Sequence, residues 1–206
     1  QDTARAQALL ASLPDLGEAS ALLVLVDGRF HAGLSRLGSS RGLRAGSLRE
    51  ALSGRGDASA DGGDARLQAA LATDAAAGRG FAALNAALFE DGAVLQVAAG
   101  AVVDAPIHLV HLSLAGSVAA AAHPRNVVLL GDGAQAALVE HYAGEAGHRG
   151  LTNPTTIISL ERGSGLRHVR LQREAPSAFH VGRVLVEQAA GSSYSSLALG
   201  LGARLS

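Results

Sequence analysis

From Asp91 onward the chain alternates short aliphatic runs with small turn clusters. The stretch 85–113, NAALFEDGAVLQVAAGAVVDAPIHLVHLS, reads as a helix end, a turn, a strand, a second turn and another strand. Continued to the end of the chain, the pattern predicts strands at Ala93–Val97, Ile107–Leu112, Asn126–Leu130, Ala134–Tyr142, Thr155–Leu160, Leu166–Gln172, His180–Gln188 and Ser192–Leu199. Turn clusters fall at AAG (98–100), GDG (131–133), RGSG (162–165) and AAGSS (189–193). They recur at intervals of roughly 30 residues, with two strands to each interval. Regular strands without crossover helices leave a sandwich, a barrel or a β-solenoid.

Upstream the period changes. Helical spacing marks Gln1–Leu13, with Leu9, Leu10 and Leu13 on one face. It returns at Ala65–Ala77 (Leu67, Ala70, Leu71) and at Phe81–Phe89 (Phe81, Leu84, Leu88). Between the first two, ALLVLVDGRFHAGLS (21–35) places Asp27-Gly28 between apolar runs, which predicts a hairpin because a type I′ turn needs positive φ at both central residues. From Gly38 to Gly63 Gly, Ser and charge dominate, with a short helix expected at Ser47–Leu52. SGRGDASADGGD (53–64) reads as linker, and its RGD tripeptide as a chance match. The expected organisation is a helical and hairpin lobe over 1–78, with a flexible linker at about 38–64, followed by a repetitive β region over 79–206.

Composition sharpens this picture. Of the 206 residues 48% are hydrophobic but only 3% aromatic, so the core must be stacked Ala, Val, Leu and Ile. That suits a solenoid, in which each coil lays aliphatic side chains on the coil below. Net charge is −1 and every basic residue is Arg, which gives no electrostatic reason to expect nucleic acid or an anionic membrane. No apolar run approaches the roughly 20 residues of a membrane helix, no secretory signal is visible, and the cytoplasm is the default compartment. With no cysteine there is no disulfide framework, thiolate nucleophile or Cys-ligated metal. The start at Gln1 and the stop at LGARLS, inside a strand-like pattern, suggest a piece of a longer protein.

Candidate chemistry is sparse. Gly131-x-Gly133-x-x-Ala136 after a strand, with Glu161 further on, has the order of a dinucleotide-binding fingerprint. It would require helix at Ala134–Tyr142, a stretch that also fits a strand. Of the eight histidines, His108 and His111 stand three apart and would point to opposite faces of a strand, while His141 and His148 flank Glu145; neither spacing is a zinc signature. In GSGLRHVRLQRE, alternation puts Leu166, His168, Arg170 and Gln172 on one face and Arg167, Val169 and Leu171 on the other. His168 and Gln172 are therefore candidates for a polar groove or for a hydrogen-bonded ladder between coils. Strands carry few acids, chiefly Glu140 and Glu187, which disfavours a carbohydrate-cleaving solenoid. No GxSxG elbow is present.

Taken in order, FAALNAALFEDGAVLQVAAG, PIHLVHL, RNVVLLGDGAQAALVEHYAG, LTNPTTIISLERGSGLRHVRLQRE and SSYSSLALGLGARLS resemble the SufB/SufD family of iron–sulfur cluster assembly proteins, and LLVLVDGRFHAGLS fits the segment before that family's core. The likeness leans to the SufD branch. SufB relatives carry Gln-Asn-Trp where this chain has Gln172-Arg173-Glu174, and they carry cysteines here. The resemblance implies a right-handed parallel β-helix and a non-enzymatic scaffold that pairs with SufB and acts with the ATPase SufC. The iron–sulfur cluster would be assembled by the full complex, with no catalytic, cofactor-binding or metal residue assigned in this chain. It also implies that the SufC-contacting helical region and the cluster-holding histidine lie outside this sequence. Self-pairing in isolation stays open.

Overall fold

The computed structural model describes residues 2–14, 16–38, 40–54, 63–77, 79–116 and 120–205. Its first part comprises α1 (Asp2–Ala11), β1 (Ala21–Val26), β2 (Arg29–Phe30), β3 (Leu43–Ser47), α2 (Leu48–Leu52), α3 (Gly63–Ala77) and α4 (Phe81–Leu88). Strands then follow one another: β4 (Ala93–Val97), β5 (Ile107–Ser113), β6 (Ala121–Ala122), β7 (Arg125–Leu130), β8 (Gln135–Gly144), β9 (Leu151–Thr152), β10 (Thr155–Leu160), β11 (Gly165–Arg173), β12 (Phe179–His180), β13 (Arg183–Gln188) and β14 (Ser193–Gly200).

The strands form three sheets in the orders β14-β11-β8-β5-β1-β2, β13-β10-β7-β4-β3 and β12-β9-β6, here sheets A, B and C. From β4 on, neighbours within every sheet are parallel and come from successive turns of the chain. Val94 lies beside Val127, Ile157 and Leu185 in turn, a repeat of about 30 residues. This is a parallel β-solenoid, as the strand pattern and the aliphatic core lead one to expect. Its interior joins Leu23, Ile107, Leu109, Leu138 and Leu166 of sheet A to Leu95, Val128, Leu130, Ile158 and Leu160 of sheet B. Each such side chain contributes roughly 1.5–3 kcal/mol on leaving water.

The turns between sheets B and A also stack. Gly100, Gly133, Gly163 and Gly191 share a φ of 69°, 67°, 66° and 72°, a region that penalises a Cβ. The Gly100 amide donates to Asp132 O at 2.8 Å and the Gly133 amide to Arg162 O at 2.8 Å. The GDG cluster is thus one step of a turn column. Residues 135–144 after it are strand β8, so the fingerprint at Gly131, Gly133 and Ala136 does not open a helix, and the nucleotide-binding alternative loses its structural requirement.

The hairpin forms as its turn chemistry requires, with Asp27 and Gly28 at φ 49° and 82°. Two strands of the N-terminal part join the sheets of the solenoid. β1, from the expected helical and hairpin lobe, pairs in parallel with β5 and extends sheet A. β3, inside the expected linker, pairs antiparallel with β4, from Leu43↔Val97 to Ser47↔Ala93. Its sequence LRAGS offers one large aliphatic residue, so the pairing comes from the waiting edge of β4 rather than from local pattern. The RGD tripeptide at 55–57 lies outside the described residues.

Helices cover part of each outer face. Leu67 and Ala70 of α3 pack on Val94, Val127, Leu129 and Ile157 of sheet B. Ala6, with Leu9, Leu10, Leu13 and Leu16, packs on Leu22, Val24, Val110 and Leu112 of sheet A. Ser47 caps α2 by accepting from the Glu50 amide at 3.1 Å. Among the described residues no helix is long and apolar enough to cross a membrane.

Candidate functional site

Alternation along each strand decides which polar groups enter the solenoid. In β8, Ala136 and Leu138 join the aliphatic interior, so Glu140 and Tyr142 follow them inward. In β11, Leu166 points inward and takes His168, Arg170 and Gln172 with it, while Arg167 is exposed. The expected face is therefore present, and it lies inside the solenoid rather than on its surface.

Within sheet A the strands change character along their length, from aliphatic to polar. The polar ends meet Asn126 and Thr156 of sheet B and build a network around Glu140, which is fully buried. The Thr156 hydroxyl donates to Glu140 Oε1 at 2.7 Å and the Tyr142 hydroxyl to Oε2 at 2.7 Å. Asn126 donates from Nδ2 to Thr156 at 3.2 Å and accepts from the Ala93 amide at 3.2 Å. His168 Nε2 stands 3.5 Å from Glu140 Oε1, and its Nδ1 is 2.9 Å from the Tyr194 hydroxyl. Asn126, Glu140, His168 and Tyr194 lie on β7, β8, β11 and β14, so the network ties successive coils together.

A second carboxylate anchors a second branch. Glu174 accepts from the Thr152 hydroxyl in a short hydrogen bond, from Gln172 Nε2 at 3.0 Å, and pairs with His180 Nδ1 at 2.8 Å. Gln172 Oε1 in turn accepts from the Gly202 amide at 3.1 Å. Tyr142 links the branches: it stacks on His111, with ring centres 4.6 Å apart, and meets the edge of His180 at 4.7 Å. Tyr142, Arg170, Gln172 and His180 also border a cavity of about 160 Å³.

The electrostatics follow from burial and pairing. Burial alone would raise the Glu140 carboxyl; the facing His168, the charge of His111 and the Thr156 hydroxyl outweigh it and hold the group at about 2. The Glu174 carboxyl likewise ends below its ordinary value, because His180, Thr152 and Gln172 overcome burial. Burial pushes His111 down to about 4 despite Glu140. Burial, reinforced by the Glu140 charge, raises the Tyr142 phenol well above its ordinary value.

The remaining histidines are distributed as strand geometry predicts. His111 faces the interior, whereas His108 faces outward and stacks on His141, with His108 Nδ1 3.0 Å from His141 Nε2. Burial, followed by the His108 charge, lowers His141 to about 4. His148 sits apart, its Nδ1 donating to Leu114 O at 3.0 Å. Glu145 does not join these histidines; it takes Arg5 of α1. Among the described residues no three His, Asp or Glu side chains are placed to hold a metal ion. The pattern of residues had pointed to His168 and Gln172 alone. Of the carboxylates that organise them, Glu140 is one of the two strand acids read from the sequence, Glu187 being the other, whereas Glu174 follows the end of β11; only coil stacking brings Thr152, Thr156 and Tyr194 to them.

The structure thus defines a parallel β-solenoid with a polar column inside it, organised around two buried carboxylates. Residues 112–206, which span β7 to β14 and include both buried carboxylates, match the family described as SUF system FeS cluster assembly, SufBD core domain. Over 124 residues the chain is 28% identical to an iron-sulfur cluster assembly SufBD family protein of Synechocystis sp., a stretch that is 56% of this chain and 27% of that protein. The chain therefore spans about a quarter of that relative's length. Both likenesses support the SufB/SufD family and a connection to iron–sulfur cluster assembly.

Proposed function

We propose that this chain is part of a SufD-like scaffold subunit of the SUF machinery, which pairs with SufB and acts with the ATPase SufC in the cytoplasm. The observation that carries the reading is that the family likeness at 112–206 coincides with the consecutive solenoid coils β7 to β14. Two sequence features favour the SufD branch: Gln172-Arg173-Glu174 in place of Gln-Asn-Trp, and the absence of cysteine. The Gln172–Glu174 contact supports a structural use of that position, since both side chains are consumed in joining coils.

A non-enzymatic role agrees with the same chemistry. The carboxylates of Glu140 and Glu174 are held by hydroxyl, amide and imidazole groups of their own chain, which leaves them poorly placed to act on a substrate. In this reading the iron–sulfur cluster is cargo of the assembled complex and no cofactor resides in this chain. Complementation tests it. The natural full-length protein, expressed in cells that lack SufD but retain SufB and SufC, is expected to restore the activity of a cluster-dependent enzyme such as aconitase. Soluble expression without any recovery of that activity would refute the SufD assignment.

A further inference from the structure

Two imidazoles sit on the outer face of sheet A among aliphatic side chains. The register places His108 of β5 between Leu22 and Val139, and His141 of β8 between Val110 and Leu171. Both are only 6% exposed, so this part of the face is covered. Among the described residues, the side chains packed over their neighbours Leu22, Val110 and Ala143 come from Ala6, Leu9 and Leu10 of α1, from Leu13 and Leu16 after it, and from Leu34. The segment from α1 to Leu16 is thus a strap laid across β1, β5 and β8.

The pair is closed to solvent but not satisfied. His108 Nδ1 and His141 Nε2 are 3.0 Å apart. The other nitrogen of each ring, His108 Nε2 and His141 Nδ1, is buried with no hydrogen-bond partner. Two neutral imidazoles carry two N–H groups: one is shared between the rings and the other has no acceptor. A third proton adds a charge and a second N–H without an acceptor. No carboxylate compensates, because Glu140 points to the opposite side of β8, where Thr156 and Tyr142 hold it. Burial, then the positive charges of His108, Arg173 and His111, hold His141 at about 4. Burial lowers His108 as well.

The other titratable groups of the strap lie elsewhere along it. Arg5 donates to Glu145 at 3.1 Å and to Ala115 O at 2.6 Å, and it pairs with Asp2. Arg5 holds Glu145 below its ordinary value, so this tie outlasts mild acid. Burial raises Asp27, whose charge acts on Asp2 and Arg5. His31 Nε2 meets the strap at Thr3 Oγ1, 3.3 Å away.

We propose that the His108–His141 pair is an acid-sensitive latch: proton uptake by the pair frees the strap from sheet A while the solenoid coils stay folded, and bares the aliphatic side chains of β1 and β5 beneath it. The closed state disfavours the proton, so opening takes one up. Opening is therefore favoured as pH falls from 6.5 toward 4 and gains nothing further below 4. For His141 alone this amounts to a roughly twentyfold larger open population at pH 5 than at pH 7. The Glu140 carboxylate inside the coils stays ionised throughout, down to about 2. The inference is independent of the SufD assignment.

Hydrogen exchange of the natural full-length protein, read by mass spectrometry at pH 7, 6 and 5 and corrected for the intrinsic rate, tests it. Protection of the α1 amides should fall at least tenfold from pH 7 to pH 5, while the amides of β7 and β10 remain far better protected. His108→Gln with His141→Gln keeps two side chains able to hydrogen-bond each other but removes the titration, and should abolish the fall. His31→Gln, outside the pair, should leave it intact. The proposal is overturned if α1 protection does not change with pH, or if the fall persists in the double variant or disappears in His31→Gln. It is equally overturned if α1, β7 and β10 lose protection through one common opening, since the solenoid would then unfold with the strap.

Discussion

Glu140→Gln separates the charge of the buried carboxylate from its size. Glu140 is fully buried and accepts from Thr156 and Tyr142, both at 2.7 Å. Hydrogen bonds to a charged acceptor contribute about 1.5–3 kcal/mol each. The amide keeps one carbonyl for one of the two hydroxyls and turns an NH2 toward the other. A loss of about 3 kcal/mol at pH 7 is expected. The carboxyl is held at about 2 in the fold against an ordinary value of 4.5. Because it is depressed, its stabilisation is complete above pH 4.5 and disappears as pH falls toward 2. At 1.36 kcal/mol per pK difference of one, that linkage is also worth about 3 kcal/mol, so the two routes agree. Urea unfolding followed by circular dichroism at pH 7, 4.5 and 3 reads the effect. The gap between wild type and variant should be widest at pH 7 and narrow below pH 4.5. A gap under about 0.5 kcal/mol at pH 7, or one that does not change with pH, would refute the claim that this carboxylate organises the interior. A double-mutant cycle with Tyr142→Phe should show coupling of about 1–2 kcal/mol.

Two further outcomes follow from the same physics. Buried Asp91 accepts from the Ser47 hydroxyl at 2.8 Å and from the amides of Gly92, Arg49 and Phe30 at 2.8, 3.1 and 3.1 Å, so it ties β2, α2 and β4 to one point. Asp91→Ala should cost about 3–5 kcal/mol in urea titration, and a loss below about 1 kcal/mol would contradict that role. His111 is held neutral by burial, at about 4 against 6.5, so the unfolded chain takes up a proton in that window and stability falls as pH drops from 6.5 to 4. His111→Phe keeps the stack on Tyr142 and should remove about one proton from the uptake on unfolding at pH 5, measured from the slope of stability against pH; an unchanged slope would show that His111 does not carry it.

Much of this architecture is legible in the sequence. Ala93–Val97 and Thr155–Leu160 coincide with β4 and β10, because Gly92 and Pro154 mark where each begins and the turn clusters AAG and RGSG close them downstream. The Asp27-Gly28 turn was legible for a stereochemical reason, the need for positive φ. What pattern could not show is set by pairing at a distance. The two-residue strands β6, β9 and β12 have no period of their own and exist because each lies on the coil below. β12 and β13 were read as one strand, His180–Gln188, although Val181 and Gly182 turn the corner between sheets. Alternation placed His168 and Gln172 on one face, but it could not say that the face is internal, nor that Thr152 and His180 arrive there from sheet C. The inward face of β11 became legible only once Leu166 was seen among the core leucines.

Co-purification is the most direct test of the scaffold reading. The natural full-length protein, co-expressed with SufB and SufC from the same source, would be run on size exclusion without oxygen. A single stoichiometric species containing all three proteins is the predicted result. Elution of this protein alone, while SufB and SufC still associate with each other, would contradict it.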